Sequence, residues 1–267
     1  MTAQHIVSRI EEGILRVTID RPQKRNALTP EMIEQLAIAI RSADDHPEVR
    51  AVVVQGEGPM FSAGIDIGAL MESLGQAAEV NPARALRRLA ERLQTALNAI
   101  EATEVPVIGA LHGHLMGLGL EVALAFDLRV ASEDCLLSIP ESRMGLVADV
   151  GGTTRLSRVV GPSRAKDLLL TARSIAADEA LSWGLVNRVA PANTHVAAAL
   201  KLAGEIAANA PLAVGLAKLI VDQGDGLPKH TQMAIERWAQ SQLITTSDVA
   251  EAAQAFMEKR PAKFRGK

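Results

Sequence analysis

Apolar and polar residues alternate over positions 6–10 and again over 14–20, on either side of Glu11-Glu12-Gly13. Period-two alternation about a glycine-containing turn predicts a β-hairpin. Beyond it the period lengthens. Thr29-Pro30-Glu31 supplies a capping hydroxyl, a proline at the first helical position and an early acid, and Met32, Ile33, Leu36 and Ile40 then recur on one helical face. Residues 51–55 read as a strand, and residues 66–74 and 84–100 as helices. The run 105–111 is short, uncharged and rich in β-branched residues, as in a strand buried on both faces. Residues 121–125 predict a turn of helix leading into a strand at 128–131. Strands alternating with helices predict an α/β domain. From Ala192 onward the pattern is almost purely helical, through 197–208, 212–222, 229–243 and 248–259, with a break at Gly224-Asp225-Gly226-Leu227-Pro228. The expected division is therefore a core domain over residues 1–191 and a helical region over 192–267 that packs on the core or on a neighbouring subunit.

Composition narrows the class. At 267 residues, 48% hydrophobic and 22% charged, the chain fits one ordinary soluble globule. Lys and Arg number 28 against 31 Asp and Glu, a net charge of −3, which excludes a generally basic nucleic-acid binder. The absence of Tyr and scarcity of Phe and Trp remove stacking platforms for single strands. One cysteine, Cys135, excludes an internal disulfide and any multi-cysteine metal site. Residues 1–13 carry Arg9, Glu11 and Glu12 and do not read as a signal peptide. The uncharged stretch 105–120 is too short and too broken by Pro106 and its glycines to span a bilayer. The expected home is cytoplasmic, with no membrane partner.

Two loops each join a predicted strand to a predicted helix: Gly58-Pro59-Met60-Phe61-Ser62-Ala63-Gly64-Ile65-Asp66 and Gly113-His114-Leu115-Met116-Gly117-Leu118-Gly119-Leu120-Glu121. Such loops leave free backbone N–H groups at a helix N-terminus, suited to a negative oxygen. Side by side, they can aim one N–H each at a single carbonyl and form an oxyanion hole. The plainer reading is a pair of tight turns. Gly56-x-Gly58 lacks the third glycine of a dinucleotide fingerprint, and neither a phosphate loop nor a G-x-S-x-G elbow is present.

Three acids stand near these loops or the next helix start. Glu121 lies in a first helical turn, where a carboxylate also complements the dipole. Glu141 follows Pro140, and Asp149 is placed to cap the helix begun by Thr153-Thr154. His112-Gly113-His114, with His195 or His230, opens a metal-hydrolase alternative, although no H-E-x-x-H accompanies it.

Phe61-Ser62-Ala63-Gly64-Ile65-Asp66, His112-Gly113, Gly117-x-Gly119-x-Glu121, Pro140-Glu141 and Gly151-Gly152-Thr153-x-Arg155-Leu156, taken in order, resemble the crotonase (enoyl-CoA hydratase/isomerase) superfamily. Asp178-Glu179-Ala180 and Gly184-Leu185-Val186-Asn187 add to the likeness, which runs from Ile19-Asp20-Arg21-Pro22 to Glu258-Lys259-Arg260. The resemblance implies the crotonase (ClpP/crotonase-like) α/β fold, repeated ββα units with a helical C-terminal region, in a homotrimer or homohexamer. It implies an acyl-CoA thioester as substrate, with no separate cofactor, no metal and no nucleic acid. By position the oxyanion donors are the backbone N–H groups of Ile65 and Leu118, where Leu118 replaces the glycine of many relatives. Glu121 and Glu141 fall on the two catalytic carboxylates of the hydratases. Asp149 stands where hydratases usually carry glycine, and Leu146-Val147-Ala148-Asp149-Val150-Gly151 resembles the dienoyl-CoA isomerase branch, which uses three acids. That branch usually has aspartate at the position of Glu121. The reading leans to isomerisation of 3,5-dienoyl-CoA to 2,4-dienoyl-CoA, with hydration of trans-2-enoyl-CoA close behind and a non-catalytic acyl-CoA-binding scaffold as a third possibility. Ala63, Gly64, Asp66 and Gly117 are expected against the substrate, Asp66 more plainly as a helix-start acid. Lys24, Arg25, Lys263 and Phe264 are expected at the nucleotide end of CoA, and residues 71–85 in the wall of the acyl pocket.

Overall fold

The computed structural model describes residues 5–78 and 81–267. The predicted hairpin is β1 (Ile6–Glu11) and β2 (Ile14–Ile19), antiparallel from Ile6 opposite Ile19 to Glu11 opposite Ile14. β2 pairs in parallel with β3 (Ala51–Gly56), and β3 with β4 (Val107–Leu111). β5 (His114–Met116) belongs to a second, smaller sheet, and β6 (Leu128–Ser132) continues the first beside β4. β7 (Leu136–Ser138) and β8 (Ser174–Ala176) complete the small sheet in the order β5-β7-β8, and β9 (Arg188–Ala190) closes the large one beside β6.

Both faces of the central strands β3 and β4 are covered, which explains why they read as unbroken apolar runs. Val52 and Val54 point to one face, where α1 (Pro30–Arg41) supplies Ile33, Leu36 and Ile40. From the same side, α3 (Pro82–Glu101) brings Leu93, Leu97 and Ile100, all buried. Ala51, Val53, Ile108, Ala110 and Val130 point to the other, under Ala199, Leu202 and Ala203 of α7 (His195–Ala207). The first helix past residue 192 is thus part of the layered core. α1 starts where its signals put it, with the Thr29 hydroxyl accepting from Met32 N at 3.2 Å.

The remaining helices are α2 (Ile67–Ala78), α4 (Leu118–Leu124), α5 (Gly152–Thr171), α6 (Ala177–Trp183), α8 (Pro211–Gly224), α9 (Lys229–Leu243) and α10 (Ser247–Glu258). α5 is kinked at Gly161, whose positive φ precedes Pro162. No single helix among the described residues is long and apolar enough to cross a membrane. α4 is short because everything in it is committed: all seven residues are buried. At its C-terminal end the buried Arg129 guanidinium donates to the carbonyls of Ala123 and Phe126, at 3.3 and 2.6 Å. A cation there offsets the negative end of the helix dipole.

Candidate active site

The two glycine-containing loops follow β3 and β4, so both lie at the carboxyl edge of the parallel sheet, the edge where such sheets hold ligands. Gly64 has φ +90°, and a Cβ on it would come 2.6 Å from Met116 O and 3.6 Å from Leu118 N. The loops therefore run in contact, and only glycine allows it. The carbonyl of Gly64 accepts from Leu28 N at 2.7 Å. Because a trans peptide is planar, with C=O and N–H opposed, the N–H of Ile65 must point away from Leu28. Leu118 is the first residue of α4, and its N–H is one of the orphan donors of a helix start. Among the described residues neither N–H has a protein acceptor. Two unused donors at adjoining loop backbones are the arrangement an oxyanion hole requires.

Glu121, one turn into α4, is 2% exposed. Its Oε1 accepts from Val150 N at 3.0 Å and Gly152 N at 2.7 Å. Burial is the chief cause that raises its pKa to about 7, and the negative charges of Glu141 and Asp149 add to it against the two N–H donors. Glu141 opens a single 3-10 turn, Glu141–Met144, and its Oε2 is buried without a partner. Burial, then Asp149, pushes its pKa up. A side chain at Gly117 would overlap Glu141 Oε1, so the glycine of the second loop makes room for this carboxylate. Asp149 stands at the open edge, and partial loss of water still raises its carboxyl. The structure thus brings the three predicted acids within one another's field. Asp149 does not cap α5, because Gly151 occupies the cap position with no side-chain bond. Its peptide is instead held from α3, by Gln94 Nε2 on the Asp149 carbonyl at 2.5 Å.

One supporting residue had no role in the sequence reading. Arg155 is buried, grips Glu101 through two nitrogens at 2.8 and 2.7 Å, and donates to the carbonyl of Val150 at 3.0 Å. It thereby fixes the peptide segment that binds Glu121. The available signal was its charge: an arginine in a first helical turn opposes the dipole and needs a reason to be there.

Lys24 and Arg25 are brought to the first loop, since the Arg25 carbonyl accepts from Ala63 N at 3.0 Å and both side chains are exposed. Asp66 caps α2 through Ala69 N at 3.1 Å and pairs with Arg21 at 2.6 Å, a bond that holds its pKa down. Its helix-start role is therefore visible. Lys263 and Phe264 are not brought to the site within one chain. Lys263 N donates to Glu251 of α10, and the Phe264 carbonyl takes a 3.5 Å bond from Arg50, which precedes β3. That is the far end of a six-residue strand, roughly 20 Å from the loops. The expected pocket wall at 71–85 lies partly outside the described residues. His112 Nε2 donates to the Gly58 carbonyl at 2.9 Å, and the ring stacks on His195, ring centroids 4.6 Å apart. Among the described residues no group of three or more His, Cys, Asp or Glu is gathered for a metal.

The geometry can now be set beside known proteins. The family model described as Enoyl-CoA hydratase/isomerase matches residues 9–267. The chain is 37% identical to the crotonyl-CoA hydratase of Syntrophomonas wolfei over 265 residues, covering 99% of each. It is 35% identical to the short-chain-enoyl-CoA hydratase of Clostridium acetobutylicum, covering 97% of each. The crystal structure of an enoyl-CoA hydratase from Bacillus anthracis superposes with a TM-score of 0.92 at 31% identity, over 99% of this chain and all of that one. The fold seen here is accordingly the crotonase fold, and the chain belongs to the enoyl-CoA hydratase/isomerase family as one of its enzymes.

Proposed function

We propose that the protein adds water across the double bond of a 2-enoyl-CoA. The observation that carries this reading is the pair of carboxylates, Glu121 buried and Glu141 half-buried with its Oε2 closed off from water, in each other's field beside two unused backbone donors. The thioester oxygen sits between the N–H groups of Ile65 and Leu118. Water forms its O–C bond at C3 and gives a proton to one glutamate. The displaced π electrons collect on the thioester oxygen as an enolate, and C2 then takes a proton from the other glutamate, restoring the carbonyl. One preorganised donor to the enolate oxygen is worth about 3–4 kcal/mol. Two nearby carboxylates in a dry site cannot both ionise freely, so the pair keeps one acid and one base near neutral pH. The hydratase names of the relatives support hydration over the isomerisation that the sequence reading put first.

Asp149 favours a second reading, the 3,5- to 2,4-dienoyl-CoA isomerisation, because a third raised carboxyl beside the pair suits proton movement between distant carbons. Lys24 and Arg25 suit the phosphates of CoA. Lys263 and Phe264 would reach a CoA only from a neighbouring chain, which agrees with a homotrimer or homohexamer built through residues 192–267. Ultraviolet absorbance separates the readings. Hydration removes conjugation from a 2-enoyl-CoA, so absorbance falls. Isomerisation of a 3,5-dienoyl-CoA extends conjugation to the thioester, so a long-wavelength band grows. CoA binding with neither change would leave an acyl-CoA-binding scaffold and overturn both.

A further inference from the structure

Catalytic loops at a sheet edge need something to hold them, and here Ser62 stands at the joint, its hydroxyl bonded within the first loop and its backbone to the second. Ser62 is fully buried. Its Oγ donates to the carbonyl of Asn26 at 2.8 Å and accepts from Gly64 N at 3.1 Å. Its backbone is bound to the other loop: Ser62 N donates to His114 O at 3.4 Å, and Met116 N donates to Ser62 O at 3.2 Å. Gly119, next to the Leu118 donor, packs so closely that a Cβ on it would lie 2.9 Å from Ser62 Cβ. One residue therefore touches the peptides next to both donors, through its side chain on one side and its backbone on the other.

Asn26 anchors that joint. It too is fully buried, in the left-handed region at φ 53°. Its Nδ2 donates to Glu57 O and Met60 O, both at 2.8 Å, and its Oδ1 accepts from Arg21 N at 2.9 Å. These bonds take up both amide hydrogens and one lone pair of the carbonyl, so the side chain cannot turn without leaving buried groups unpaired. Its own carbonyl is thereby aimed at Ser62. On the other flank of the Ile65 donor, Leu28 N and O bind Gly64 O and Asp66 N at 2.7 and 2.8 Å.

We infer that Ser62, oriented by Asn26, is a positioning residue that sets the spacing and direction of the two backbone donors. This rests on the reading that Ile65 and Leu118 N–H polarise a thioester carbonyl. Neither side chain reaches the substrate; both act through Gly64 and the loop contact. A hydroxyl is required because the position must donate to one peptide and accept from another, which a serine oxygen does and an alanine methyl does not.

The test uses butyryl-CoA labelled with 13C at the thioester carbonyl, which binds and cannot be hydrated, and reads the infrared carbonyl stretch of the bound form. The wild-type protein should lower that frequency relative to free butyryl-CoA. Ser62→Ala should lose most of the shift with its butyryl-CoA Kd within about threefold. On a 2-enoyl-CoA it should lose roughly 10- to 100-fold in kcat while KM stays within about twofold, since sub-ångström to 1 Å errors in placement cost on this scale. Gly119→Ala, which pushes the loops apart from the other side, should give the same spectral loss, and it carries the test if Ser62→Ala does not fold. A normal wild-type shift retained in both variants overturns the inference alone. A bound wild-type complex with no shift overturns the oxyanion reading and the inference with it.

Discussion

The layered core and the last three helices spend their apolar residues differently. In the core, Ile33, Leu36, Ile40, Leu97, Ile100 and Ile108 are wholly removed from water. In α9 the one buried residue is Ala239, and α10 buries only Asp248 and Ala255, while Trp238, Ile244 and Met257 stand open and Phe256 is 86% exposed. Fully burying such a side chain is worth about 1.5–3 kcal/mol, so the core is held by its own contacts. The C-terminal helices rest on polar ties instead. Arg260 binds Glu251 at 2.6 Å, Asp248 accepts from the backbone of Arg265 and Gly266, and Lys218 of α8 pairs with Asp127 at 2.9 Å. The C-terminal helices thus leave large apolar side chains facing outward, whereas the core has already buried its own.

The sharpest break in this contrast is chemical. Glu141→Gln should lower kcat on a 2-enoyl-CoA by roughly 10²–10⁴-fold while leaving the melting temperature no lower than wild type, because a neutral amide relieves the burial of charge. Steady-state rates and a thermal melt check both halves. Next, Leu97→Ala in the core should cost about 2–5 kcal/mol in urea unfolding, through the cavity it leaves.

Within the core itself, two groups taken out of water should respond oppositely to pH. Glu121 titrates near 7 in the folded chain and near 4.5 when unfolded, so the folded state holds the extra proton between those values. Its contribution is full below about 4.5 and is lost as pH rises toward 7, on the order of 3 kcal/mol at most. His195, on α7, is held neutral down to about 4 by burial first and His112 second. Stability from it is present above about 6.5 and lost as pH falls toward 4. Unfolding of wild type, Glu121→Gln and His195→Gln at pH 4.5, 6 and 7.5 should show each variant flattening its own limb of the profile. The smallest effect on stability belongs to the C-terminal face. Phe256→Ala should change the unfolding free energy of the single chain by no more than about 0.5 kcal/mol, yet lower the assembly mass seen by light scattering. An unchanged mass would remove Phe256 from the assembly surface.

Local signals carried most of the core. Thr29-Pro30 marked the first residue of α1, and the uncharged run 105–111 marked a strand buried on both faces that begins two residues later, at Val107. The small sheet was missed because β5, β7 and β8 have three residues each, too few for a period to show. The acids were legible as positions, and the family likeness gave them roles, but their mutual field is a property of packing. Asp149 misled because a carboxylate before Thr153 has the look of a cap, while Gly151 takes the cap position of α5 and Gln94 holds the Asp149 peptide from another element. Asn26 and Ser62 were silent for a related reason. The bonds that tie them into the site, from Asn26 Nδ2 to Glu57 and Met60 and from Ser62 Oγ to Asn26, span 31 to 36 residues, so no local pattern shows them.

The order of strands in the large sheet has a consequence for how the chain is made. β6 is finished at Ser132, but the strand that covers its outer edge, β9, ends at Ala190. At a synthesis rate of about 5–20 residues per second, that edge waits roughly 3–12 s on the ribosome with its backbone donors and acceptors unpaired. An apolar strand with an open edge is a template for any neighbouring chain. A chaperone that protects nascent chains would find its substrate here in that interval, and a stall between residues 132 and 188 should send the product to aggregates even though every residue of the catalytic loops has already been made.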